Sequence, residues 1–175
     1  MDRTPQLHLL RHAKSSWDDA SLRDDQRPLT GRGRRAAGLL RQHFDAVGLR
    51  VDLVLCSPAR RTRETWARVR AGLHSDPEVK FVPEVYAATA GELLGLIRGV
   101  DRSVTSVMIV GHNPGIEELT AGLAGGGETL PTARLRDGFP TGGFATLTVG
   151  STWADLDWGG ARLSDFIRPR DLTSG

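Results

Sequence analysis

Cysteine occurs once in the 175 residues, at Cys56. No disulfide framework can form within the chain, and a reducing compartment is expected. Long apolar runs are missing: nothing approaches the ~20 residues needed to span a bilayer, and the opening MDRTPQLHLLRH has no apolar stretch of a secretory leader. No membrane partner is expected, and the cytoplasm is the expected location. Charge of one sign is not in excess either. Lys+Arg number 23 against 21 Asp+Glu, a net +2 that is too slight to argue for nucleic acid despite a pI of about 9.2. No Pro/Gly/Ser-rich linker divides the sequence, so one domain over residues 1–175 is expected.

Several motifs are absent as well. There is no G-x-x-x-x-G-K-[ST] phosphate loop. GRGRRA (31–36) has dinucleotide-loop spacing but follows RPLT, not a strand. A cysteine-phosphatase loop needs an arginine six positions after its cysteine, and Thr62 stands there; Cys56 reads as a small core residue. No aspartate ends the first strand to carry a phosphoryl group. Asp155 and Asp157 alternate with no histidine nearby, so neither a metal nor another cofactor is expected.

What is present is an alternation of short apolar runs and helical patterns. Strands are expected at LHLL (7–10), DLVLC (52–56), VKFVPEVY (79–86), SVMIVG (106–111), FATLTV (144–149), ADLDW (154–158) and ARLSDFI (161–167). Helices are expected over 30–47, 57–73, 90–97 and 114–124. This predicts an α/β fold, three-layer αβα, with a mostly parallel central sheet and at least one antiparallel strand. Trp17, Trp153 and Trp158 either rim a docking surface or fill the core; Trp66, on the apolar face of a helix, is assigned to the core.

Ligands in such sheets sit beyond the carboxyl ends of the parallel strands. The first strand ends on Arg11 and His12. The second exits as CSPAR and the fourth as GHNPG. Ser57 and Asn113 each precede a proline, as a helix N-cap before Pro at the first helical position would. Two helix N-termini therefore face the same edge, and Arg61 and His112 lie beside them. Arg11, His12, Arg61 and His112 converge on one spot if their strands are neighbours, and such a spot suits a phosphate dianion. A neutral imidazole can attack phosphorus there: His12 is the candidate nucleophile, with Arg11, Arg61 and His112 to neutralise the phosphoryl oxygens. That chemistry requires no metal.

LLRHAKS with SPARRTRET and VGHNPG resembles the histidine phosphatase superfamily, also called phosphoglycerate-mutase-like. Ser57, Pro58, Arg61 and Thr65 match its second signature, and Gly111, His112 and Asn113 its third. RPLTGRG (27–33), the short length and FIRPRDL (166–172) are similar to the small branch typified by bacterial phosphohistidine phosphatases. The resemblance implies that His12 becomes a transient phosphohistidine, that Arg11, Arg61 and His112 complete the phosphate pocket, and that Arg27 and Asn113 bind substrate. It implies a proton donor after the third strand, where Glu84 stands; Asp18 or Asp19 could serve instead. Longer members carry an insertion that this chain lacks, which implies a shallow pocket and favours a phosphate displayed on a protein. Three readings stay open: a phosphohistidine phosphatase for a signalling or phosphotransfer protein, a phosphatase for a small phosphoester such as a sugar phosphate or nucleotide, or a non-catalytic phosphate-binding module.

Overall fold

Apolar side chains at successive positions of LHLL need cover on both faces of the strand they form. The computed structural model of the chain describes residues 3–127 and 129–173. It places that strand, β1 (Gln6–Arg11), in a six-stranded sheet with β2 (Leu53–Cys56), β3 (Glu78–Phe81), β4 (Ser106–Gly111), β5 (Phe144–Val149) and β6 (Ala161–Ile167). The order across the sheet is β3-β2-β4-β1-β5-β6. The pairings β2–β3, β2–β4 and β1–β4 are parallel, whereas β5 is antiparallel to both β1 and β6. β5 is thus the one reversed strand in a mostly parallel α/β sheet, as the sequence predicts.

The sheet has an apolar layer on each side. Leu7, Leu9, Leu55 and Ile109 pack against α3 (Ala90–Arg98) and α4 (Gly115–Leu123) through Leu93, Ile97 and Leu119. Leu10, Val54, Met108 and Val110 pack against α1 (Gly31–Ala46) and α2 (Arg60–Val69) through Leu40, Phe44 and Trp66. Three layers result because alternate strand residues must each find a helix. Thr30 caps α1 by accepting from the Gly33 amide at 3.0 Å. Gly33 also lets the helix approach the segment after β1: a Cβ there would stand 2.1 Å from the Lys14 carbonyl oxygen. Trp66 and Trp153 are buried, while Trp17 and Trp158 are exposed. No helix among the described residues is long and apolar enough to cross a membrane.

Several boundaries differ from the sequence expectation. The strand expected over 79–86 ends at Phe81, and Pro83–Val85 forms a 3-10 turn; Pro83 has no N–H to continue the ladder. ADLDW is not a strand. Leu156 is buried there, as is Trp153 just before it, but Thr152 Oγ1 accepts from the Asp155 amide at 3.3 Å and turns the chain. The helices α5 (Leu130–Arg136) and α6 (Pro169–Leu172) were not expected. Both are short and start from local caps, with too few turns to show a periodic apolar stripe.

Candidate active site

Parallel strands send their carboxyl ends to one edge of the sheet. β1 delivers Arg11 and His12, β4 delivers Gly111 and His112, and β2 delivers Cys56 and Ser57. The ladder continues past the strands: the His12 amide donates to Gly111 O at 3.1 Å, and the Ser57 amide to Val110 O at 3.0 Å. His12 and His112 therefore leave adjacent strands at the same level, and their ring centroids lie 5.3 Å apart. Thr65 on α2 fixes the chain just beyond, its hydroxyl accepting from the Ala13 amide at 3.0 Å.

Each ring is oriented by one hydrogen bond. His12 Nδ1 donates to Ala13 O at 2.7 Å, which leaves the lone pair on Nε2. His112 Nε2 meets Ser57 Oγ at 2.7 Å. With the hydroxyl as donor, the His112 proton sits on Nδ1. Arg11 Nη1 and Asn113 Nδ2 both donate to Phe139 O, at 2.9 and 3.0 Å. Arg61 Nη1 donates to Asp24 O at 2.7 Å and Nη2 to Asp24 Oδ2 at 3.0 Å. Arg27 donates from Nε to Asp24 Oδ1 at 3.1 Å and from Nη1 to Ser15 Oγ at 2.7 Å. Among the described residues, four buried side-chain atoms have no partner: Arg11 Nε, Arg61 Nε, His112 Nδ1 and Asn113 Oδ1. Buried polar atoms are normally satisfied, and here the exceptions all lie around the two histidines. Three of them are N–H groups, as an oxyanion would require.

The charges fit that reading. Burial, helped by the nearby Arg61, Arg11 and Arg27, pushes His12 down to about 4, against the Ala13 hydrogen bond, which raises it. Burial, with His12 and Arg61 beside it, pushes His112 down to about 3. Both rings are neutral at pH 7, so His112 contributes a donor and not a charge until an anion beside it raises its proton affinity. The Tyr86 hydroxyl, then Arg61 and Arg27, hold the Asp24 carboxyl down to about 2. Among the described residues, no cluster of three or more His, Cys, Asp and Glu side chains is placed to hold a metal ion.

The structure brings Arg11, His12, Arg61, His112, Asn113 and Arg27 together. Arg27 is 7% exposed, not a surface residue, and its guanidinium lies 3.5 Å from the centroid of the exposed Trp17 ring. Glu84 is exposed on the Pro83–Val85 turn, two residues before Tyr86, whose ring meets His112 edge-on at 5.4 Å. Asp18 and Asp19 are exposed on the loop after Trp17, and the Asp19 carboxylate is occupied by the Ser21 amide and hydroxyl.

The expected helix caps are corrected. α2 begins at Arg60 after Ala59: the Ser57 hydroxyl is bonded to His112 and accepts from the Ala59 amide at 3.3 Å, one turn short of the helix. α4 begins at Gly115 after Pro114: Asn113 Nδ2 donates to Phe139 O, and its Oδ1 meets no helix amide. Sequence reasoning missed Asp24 and Tyr86, which bonds the Asp24 carboxylate through its hydroxyl. The signal for Asp24 was its spacing three residues before Arg27. It was masked by Asp18, Asp19 and Asp25 in the same loop.

A family profile described as histidine phosphatase superfamily (branch 1) matches residues 7–98. An uncharacterized protein of Mycobacterium tuberculosis is 38% identical over 163 residues, covering 92% of this chain and all of its own length. Among solved structures, one assigned as the phosphohistidine phosphatase SixA of Nakamurella multipartitia superposes with a TM-score of 0.83 at 31% identity, covering 96% of this chain and 98% of that one. The protein histidine phosphatase SixA complexed with tungstate superposes with a TM-score of 0.77 at 25% identity, covering 96% and 99%.

Proposed function

This chain belongs to the histidine phosphatase superfamily, and we propose that within it the protein removes phosphate from phosphohistidine on a signalling or phosphotransfer protein, without a metal. The observation that carries the reading is the ring of unpartnered buried donors, Arg11 Nε, Arg61 Nε and His112 Nδ1, around a histidine whose free nitrogen is fixed. The similar SixA that binds tungstate, a tetrahedral oxyanion, supports the same pocket for phosphate.

In the proposed reaction the Nε2 lone pair of His12 attacks phosphorus. The bond from phosphorus to the substrate nitrogen breaks, and its electron pair leaves with the substrate imidazole. A proton on the far nitrogen of that ring makes it a neutral leaving group. Arg11, Arg61 and His112 donate to the non-bridging oxygens, and Asn113 and Arg27 line the pocket. The phosphoryl group now sits on His12 Nε2, with Nδ1–H still held by Ala13 O. Water attacks phosphorus, the N–P bond returns its pair to Nε2, and the water proton leaves with the phosphate or to solvent. The Ala13 carbonyl serves both steps, because it keeps His12 in the form that leaves neutral.

Glu84 is the proposed proton donor for ester substrates. An alkoxide leaves badly unless protonated, whereas a neutral imidazole needs no further acid. Glu84→Gln is expected to lower kcat/KM for an alkyl phosphate by about 10²-fold, and for a phosphohistidine protein by less than about tenfold. Equal losses on both substrates count against this role.

Asp24 places a fixed negative charge between Arg27 and Arg61. Its side chain is 47% exposed, so solvent screens the effect. Asp24→Asn is expected to tighten inhibition by inorganic phosphate about three- to tenfold. An unchanged inhibition constant contradicts it.

The test of the function itself is hydrolysis of p-nitrophenyl phosphate in EDTA, followed by a panel of phosphohistidine proteins against sugar phosphates and nucleotides. The proposal expects activity in EDTA and the highest kcat/KM on phosphohistidine. A preference for a small ester assigns the alternative substrate class, and binding without turnover assigns a phosphate-reading module.

A further inference from the structure

A second cationic feature lies on the same edge of the sheet, on the side of His12 away from Asp24. The register Leu10↔Phe144↔Ile167 runs straight across β1, β5 and β6. Since β5 is reversed, the carboxyl end of β6 shares the edge with that of β1. Arg168 directly follows β6, two strands from the phosphate pocket, which is about 10 Å at ordinary strand spacing. A cavity of about 380 Å3 opens there, and Lys14, Arg32, Arg168 and Arg170 line it together with one carboxylate, Asp137. Its wall also includes the Pro140–Thr141 turn. That turn is tied to the site by the Gly142 amide, which donates to His12 O at 2.9 Å.

The four cations are not equivalent. Arg168 is largely buried and committed to Asp171, with Nε and Nη2 each 2.9 Å from its carboxylate oxygens; it anchors α6. Arg170 shares Asp137 with Arg168 at a loose 3.6 Å. Among the described residues, Lys14 and Arg32 have no carboxylate within salt-bridge distance, and both are exposed. The cavity therefore keeps a net positive charge. Its free cations are long, solvated side chains beside proline walls. This arrangement suits carboxylates on an extended surface better than one tightly held phosphate, which in this protein is met by buried, pre-oriented arginines.

We infer that this cavity docks acidic side chains flanking the phosphohistidine of the protein substrate, so that Lys14, Arg32 and Arg170 select for a carboxylate-bearing surface about 10 Å from the phosphorylated ring. The inference rests on the phosphohistidine reading above and adds to it the chemistry of the partner's surface. Exposed charges of this kind act mainly on encounter and on KM, and are screened by salt.

The experiment uses the full chain and the Arg32→Glu/Arg170→Glu double variant. Two substrates are compared: a phosphotransfer domain phosphorylated on histidine with phosphoramidate and carrying carboxylates beside that histidine, and p-nitrophenyl phosphate. The expected result is a kcat/KM roughly tenfold or more lower for the phosphodomain, mostly through KM, with p-nitrophenyl phosphate changed by less than about twofold. The salt dependence seen with the wild-type protein should flatten in the variant. Replacing the flanking carboxylates of the phosphodomain with amides should reproduce the loss in the wild-type protein. Equal effects on both substrates, or none on either, overturn the inference while leaving the phosphatase reading intact. A wild-type protein inert toward the phosphodomain but active on esters overturns both readings.

Discussion

The His12→Ala variant is expected to retain less than about 10⁻⁴ of the wild-type kcat on p-nitrophenyl phosphate. The size follows from what is lost. Arg11, Arg61 and His112 remain to bind phosphate, but no other imidazole has its free nitrogen fixed beside them. Water would have to displace the leaving group directly. Arg61→Ala and His112→Ala remove oxyanion donors and leave the nucleophile, so each is expected to cost about 10²–10³-fold in kcat. A fold check matters for His12, which is 7% exposed and whose ring contacts His112. His12→Asn, which leaves less of a cavity, should be equally inactive. Phosphate binding in either His12 variant, followed by calorimetry, should persist, because the donors of the pocket are untouched. Activity within tenfold of wild type in His12→Ala removes the covalent mechanism.

Acidification below neutrality is expected to have the second largest effect, this time on stability. Three histidines are neutral: His12, buried, and His112, half-buried, in the site, and the buried His8 on β1, which stacks on Phe144 and meets Thr146 Oγ1 at 3.0 Å. Burial pushes His8 down to about 4, as it does His12, and His112 down to about 3, from an ordinary value of 6.5. In the unfolded chain all three take up protons near 6.5. Between that pH and about 4 the unfolded state binds more protons, so stability rises with pH across this window. The contribution is fully present above about 6.5 and is lost as pH falls through the folded-state values. Each shift of this size is worth of order 3 kcal/mol, and a domain of this size has a total stability of only about 5–15 kcal/mol. Denaturant midpoints should therefore fall steadily as the pH is lowered from 6.5 toward 4. His8→Gln, far from the chemistry, should flatten that slope without changing the reaction. A midpoint constant from pH 7 to 5 contradicts the burial of neutral rings.

The parts of this architecture that could be read in the sequence are those written in local chemistry. β1, β2, β4, β5 and β6 are apolar runs bounded by polar turns, and α1 starts at a threonine and stops at Gly48. Arg11, His12 and His112 were legible because they end or directly follow strands, and Arg61 because it lies in the first turn of the helix after β2; the parallel order places those strand ends together. Ser57 and Asn113 were seen as helix caps. Local rules favour that role, but bonds to His112 and Phe139 O, 55 and 26 residues away in sequence, fix these side chains where neither caps the helix after it. Asp24 and Tyr86 lie 62 residues apart, and nothing local marks them as partners. ADLDW alternates as a strand would, with apolar Ala154, Leu156 and Trp158 between aspartates, yet of the three only Leu156 is buried, because the segment runs through turns. Periodicity alone does not distinguish the two.

The most direct measurement is rapid acid-free quenching of the enzyme during turnover of a phosphorylated substrate in EDTA, followed by mass spectrometry of the peptides. The peptide containing His12 should carry one phosphoryl group, lost on mild acid treatment, and should form and decay at rates consistent with kcat. A phosphoryl group on another residue, or a pre-steady-state time course with no covalent species at all, would contradict the account.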